Sequence, residues 1–181
     1  MSAPKKTVLL SSFFFVSSAL IFWFLTGMRA PSGRFVATAR DCGFASFSGL
    51  LRTAAGSAAS VTAEALAVFF SGFTVFPVAV PCAVLLFRGA CFGASLRAFS
   101  GGALSFSEET LVFGISQPAA VFSLYAISSL SLIFFSYFSV LYSERMRGKE
   151  KATPALGYAA VSAVFFGGLV ILDLLRFAAV R

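Results

Sequence analysis

The sequence predicts an all-α, polytopic helical membrane protein, and three observations carry that prediction. Of the 181 residues, 59% are hydrophobic and only 12% charged, with a mean hydropathy of +0.92. A soluble domain carries about 25% charged residues, so this chain has too little polar material to clothe a water-facing surface. The apolar residues, 24 Phe among them, fall in long runs without the alternation of a lipid-facing β-barrel. Clusters of Pro, Gly and charged residues separate the runs, which sets the count at about five spans.

The first span is read at residues 7–27, preceded by Lys5 and Lys6 and carrying Trp23 near its end. A helix needs about 20 apolar residues to cross the hydrocarbon layer, and an indole ring sits well at an interface. The run is longer than the core of a secretory signal peptide and Ala30 is followed by Pro31, so it is read as a retained helix. Residues 28–60 are rich in Ala, Ser and Gly and carry Arg29, Arg34, Arg40 and Arg52. Phe44, Phe47 and Leu51 recur there at helical spacing, which predicts an amphipathic connector lying in the membrane interface.

From Val61 to Phe99 the chain is almost continuously apolar, about twice the length of one span. Pro77 and Pro81 stand inside it, and Pro is tolerated in the first turn of a helix but breaks an interior one. A turn is therefore placed near Phe76 and Pro77, between spans 61–76 and 77–100. The next apolar stretch, 110–143, is again too long for one span and is broken at Pro118. The piece before it is a re-entrant or interfacial turn, and Ser116, Gln117 and Pro118 should be packed against neighbours, because non-helical backbone at depth must be covered. A charged loop follows from Glu144 to Lys151, and Pro154 opens the last span, 155–178.

Orientation rests on the basic flanks. With the N-terminus inside, Lys5, Lys6, Arg145, Arg147, Lys149 and Lys151 are cytoplasmic, whereas Arg29, Arg34, Arg40, Arg52, Arg176 and Arg181 are outside. The two sets are equal in size, and the concentrated cluster at 145–151 in a short loop favours the N-terminus inside.

Several kinds of chemistry are missing from the inventory. The chain has no His, so triads with a His base, His-ligated metal sites and HExxH proteases are excluded. Cys42, Cys82 and Cys91 are odd in number and form no CxxC, which suggests neither a disulfide framework nor a zinc ribbon. The net charge of +7 is scattered in short clusters with no continuous stripe, so membrane lipids with anionic headgroups fit better than nucleic acid as a partner. No cofactor, metal site or catalytic residue is expected, and the protein is read as a non-enzyme.

Arg88 is the most informative side chain, because an Arg at mid-helix costs about 2.5–3.5 kcal/mol on insertion scales unless something compensates it. Two carboxylates lie inside apolar segments, Glu64 and Asp173. With a turn at Phe76, Glu64 is twelve residues before it and Arg88 twelve after, so the two should face each other at similar depth. Asp173 also has Arg176 three residues on, along the same helical face. Arg88 is read as a structural clamp in the bundle, with a substrate or ion site as the competing reading.

Gly89 and Gly93 form a GxxxG, and Ala159, Ala163 and Gly167 make a small-xxx-small row on the last span. Small residues at this spacing let helix backbones approach closely, so both rows are expected to be packing seams, within the chain rather than between copies. The oligomeric state is left open.

The run FPVAVPCAVLLFRGACFGASLRAF (76–99) takes a Pro-bearing apolar stretch into a Phe, a basic residue, Gly and a second Gly four residues later. With ISQPAAVFSLYA (115–126), it resembles the stage II sporulation protein M family of bacterial membrane proteins. The resemblance implies a non-enzymatic scaffold in the mother-cell septal or engulfing membrane. Such a scaffold would assemble and localise two peptidoglycan-degrading partners, the sporulation proteins D and P, during engulfment. The alternative is a small transporter, channel or permease-like subunit built on helices broken at Pro77 and Pro118 around Arg88.

Overall fold

The computed structural model describes residues 3–28, 47–74, 77–100, 111–112, 115–147 and 155–179. Among them are five helices: α1 (Ala3–Met28), α2 (Phe47–Ser71), α3 (Ala79–Ser100), α4 (Gln117–Arg147) and α5 (Ala155–Ala179). Four of these, α1, α3, α4 and α5, are long and apolar enough to cross a membrane, and α2 adds a shorter apolar segment, Ala59–Ser71. The protein is an all-α, multi-pass membrane-type bundle.

The helix boundaries follow from the backbone-restricting residues. Pro77 lies in the turn between α2 and α3, and Pro81 is buried in the first turn of α3, where its missing N–H removes no intrahelical bond. Pro118 is the second residue of α4, a position to which its fixed φ is suited. Both prolines at the expected breaks thus mark where helices begin, and neither interrupts a helix inside the bundle. Ahead of α4, β1 (Leu111–Val112) pairs antiparallel with β2 (Ile115–Ser116).

One expectation needs correcting. The stretch 47–60, read as part of a separate interfacial connector, continues without a break into the second span, so α2 is longer than the expected 61–76. No Pro occurs between Pro31 and Pro77, and Ala, Leu and Glu favour helix, so low hydropathy alone gave no reason for the helix to stop. Phe44, Pro154 and Cys42 lie outside the described residues.

Contacts along the helices fix their directions. Glu64 of α2 meets Arg88 of α3 across the turn, Phe92 of α3 meets Tyr125 of α4, and Phe135 of α4 stacks on Phe165 of α5, all antiparallel relations. In contrast, α1 runs parallel to α3: Ser11 lies by Cys82, Phe15 by Gly89, Ala19 by Gly93 and Trp23 by Arg97. The start of α1, the α2–α3 turn and the end of α4 therefore share one side. The ends of α1, α3 and α5 share the other.

The core is formed by Val61, Ala65 and Val68 of α2, Leu85 of α3, Leu132, Ile133 and Phe135 of α4, and Leu169 of α5. Leu9, Phe13, Val16, Leu20 and Phe24 on α1, Phe134 on α4 and Val164 and Ile171 on α5 point outward. That distribution, with large apolar side chains facing outward as well as inward and several Ser buried among them, suits a bundle solvated by lipid. Lipid tails are as apolar as Leu, so helix association depends on close packing and interhelical hydrogen bonds.

α4 shows this clearly. Its buried face includes Ser129, Leu132, Ser136, Ser139 and Ser143, alternating steps of three and four, the spacing of a helix–helix seam. Ser129 and Ser136 bond back to the carbonyls of Tyr125 and Leu132, whereas Ser139 reaches across to Val68 O at 2.9 Å and to Ser71 Oγ at 2.9 Å. Tyr158 of α5 donates to Phe69 O at 2.9 Å and stacks on Tyr142 with ring centroids 4.1 Å apart.

Candidate functional site: a buried charge cluster

The site starts from one cation. The Pro77 turn carries the chain back on itself, so α3 returns alongside α2 and Arg88 meets Glu64, with Nη1 to Oε2 at 2.7 Å. Arg88 is 2% exposed and Glu64 18%. The second terminal nitrogen of Arg88, Nη2, donates to Ser128 Oγ on α4, and Ser128 donates in turn to Tyr125 O at 3.0 Å. Tyr125 contributes twice: its ring lies 5.0 Å from the guanidinium, and its hydroxyl donates to the Arg88 backbone carbonyl at 3.0 Å. The guanidinium Nε is buried without a hydrogen-bond partner among the described residues.

A second pair adjoins the first. On α5, Asp173 Oδ1 and Arg176 Nη2 are 2.6 Å apart, with Asp173 3% exposed. The Arg176 guanidinium lies 5.2 Å from the Tyr125 ring, so one aromatic ring of α4 serves cations from α3 and α5. Glu64 feels both Arg176 and Asp173 electrostatically. Two cations and two anions thus balance, and they join α2, α3, α4 and α5 at one level. A charge taken out of water needs such partners, because the low dielectric makes an isolated one prohibitive.

The sequence-derived candidates divide by position. Glu64, Arg88 and Asp173 come together in this cluster. Gly89 and Gly93 face α1: a Cβ on Gly89 would stand 2.3 Å from Phe15 O, and one on Gly93 would stand 2.0 Å from Ala19 O. Only hydrogen fits there, so the GxxxG is an intramolecular seam that holds the α1 backbone against α3. Gln117 is buried and donates from Nε2 to Ala179 O at 3.0 Å, satisfying a carbonyl at the end of α5, and Pro118 beside it is buried. Pro77 and Pro81 stand away from the charges, at the start of α3.

The row Ala159, Ala163 and Gly167 is not a seam within the bundle. Ala159 and Ala163 are exposed, and a Cβ on Gly167 would meet nothing within 4 Å. α5 instead packs on α2 and α4 through Tyr158, Phe165 and Leu169, on a different face from the small residues. Sequence reasoning missed Tyr125 and Ser128, although Tyr125 ends a polar–aromatic stretch three residues before a Ser pair, the side-chain types a buried guanidinium accepts.

Chemically, the cluster is closed. Among the described residues no group of three His, Cys, Asp or Glu side chains is arranged to hold a metal ion. A cavity of about 630 Å³ is lined by Leu10, Phe14, Pro77, Val78, Ala79, Cys82, Ala83 and Leu86, none of them a member of the cluster.

Fold and site together define a polytopic α-helical membrane protein knitted by intramembrane ion pairs. No family model matches the chain, and neither a curated protein nor a solved structure matches it.

Proposed function

We propose that the protein is a non-enzymatic membrane scaffold like those of the stage II sporulation protein M family, which its sequence layout resembles. In that role it organises peptidoglycan-degrading partners, the sporulation proteins D and P, at the septal or engulfing membrane. One observation supports this reading above the others: the buried charges are spent on each other. Arg88 is held by Glu64, Ser128 and Tyr125, and Asp173 by Arg176, so the cluster clamps four helices rather than presenting a charge to a passing solute. The prolines favour the same reading, since they begin helices and do not create the mid-membrane breaks from which transporters build binding sites.

The experiment is a flux assay with the purified chain in liposomes, run beside co-purification from sporulating cells. A scaffold moves no ion or solute above empty liposomes and brings down a cell-wall hydrolase. Flux that disappears in Arg88→Leu would establish the transporter reading in its place.

A further inference from the structure

The cavity beside α1 is an apolar groove with a lysine one helical turn beyond one end, and nothing in the charge cluster explains it. Its walls are Leu10 and Phe14 of α1 and the residues from Pro77 to Leu86 that open α3. From Ala79 to Leu86 that wall runs about 10 Å along the helix axis at 1.5 Å per residue. Its volume of about 630 Å³ falls within the usual range for a small-molecule site.

That end is cationic. Lys6, Leu10 and Phe14 stand four residues apart on one continuous helix, so they form one stripe with an exposed lysine at its tip. The parallel register of α1 and α3 puts Lys6 near the first turn of α3, one helical turn beyond Leu10 of the groove wall. The same side carries Lys5, Arg145 and Arg147 against Glu144 among the described residues. Arg147 donates to Thr74 O in the adjoining turn at 2.5 Å.

We propose that this groove binds an anionic phospholipid, with an acyl chain along the Leu10–Phe14–Leu86 wall and the phosphate at Lys6. An acyl chain is the apolar rod this wall accepts. The lysine selects among headgroups, because a basic side chain near the membrane surface attracts anionic lipid. The site is separate from the clamp, and its occupancy does not depend on the scaffold reading.

The test uses the full chain in nanodiscs of equal phosphatidylglycerol and phosphatidylcholine, with the lipids retained on the released protein identified by native mass spectrometry. Phosphatidylglycerol is retained preferentially by the unmodified protein. Lys6→Gln, a change at an exposed position, lowers that preference about fivefold. Ala83→Trp fills the groove from an exposed position and removes retained lipid of both headgroups. Equal retention of the two lipids, or retention indifferent to both substitutions, would overturn the proposal. So would a Cys82–Cys82 disulfide forming between copies in the nanodisc, because a second copy would then be the occupant.

Discussion

Removing Arg88 while keeping its volume isolates what the clamp contributes. Arg88→Met leaves Glu64 facing a thioether, deprives Ser128 of its donor and takes one cation off the Tyr125 ring. Breaking a buried pair from one side costs about 3–5 kcal/mol in soluble proteins. The low end applies here, because separated helices in lipid also find polar partners. At about 2–4 °C per kcal/mol for a chain of this size, a loss of ~3 kcal/mol lowers the melting temperature by about 6–12 °C. The assay is thermal loss of the monodisperse peak in detergent, followed by size-exclusion chromatography of a fluorescent fusion. Glu64→Met alone leaves Arg88 without its carboxylate and costs a similar amount, but the double Met variant has no stranded charge and costs less than either single change, a coupling above ~3 kcal/mol. Exchanging the two charges recovers less, since a Glu at 88 is too short to reach Ser128. Costs that simply add in the double Met variant would refute the clamp.

Other outcomes follow from the same geometry. Gly93→Ala places a methyl where Ala19 O stands and pushes α1 off α3, a loss of about 1–3 kcal/mol or more read in the same assay; Gly167→Ala, with nothing near it, leaves stability unchanged. Ser11→Cys forms a disulfide with Cys82 when copper–phenanthroline is added as oxidant, since Ser11 Oγ and Cys82 Sγ are 3.8 Å apart, and a mobility shift on non-reducing gels reports it. Adding Gly93→Ala to that variant slows the cross-link, which ties the glycine to the position of α1. Tyr125→Phe deletes the bond to Arg88 O and keeps the ring for both cations, costing about 0.5–1.5 kcal/mol, whereas Tyr125→Leu costs visibly more.

The legible parts of the fold were those set by backbone restriction or by a charge in the wrong solvent. Pro77 fixed the turn, the turn fixed the depth of Glu64 and Arg88, and the expense of an unpaired guanidinium in lipid did the rest. The continuation of α2 through 47–60 was hidden because Ala, Ser and Gly lower hydropathy without ending a helix. Tyr125 and Ser128 were hidden for another reason: Ser is common throughout this chain, and the value of either residue depends on which face of α4 turns inward. The rows at 89–93 and 159–167 have the same spacing, yet one touches a neighbouring backbone and the other touches nothing. Spacing shows that close approach is sterically allowed; only the packing of neighbouring helices decides whether it happens.

The arrangement of the ion pairs also bears on how the chain enters the bilayer. Glu64 and Arg88 sit on the two arms of one hairpin, and Asp173 and Arg176 lie within a single turn of α5. Each pair is therefore neutral inside its own unit of insertion, before the rest of the bundle exists. The translocation machinery never has to hold a bare guanidinium while waiting for a distant helix to be synthesised. Assembly afterwards brings these two neutral pairs to α4, whose Tyr125 ring meets one cation from each, so their docking is governed by shape more than by charge.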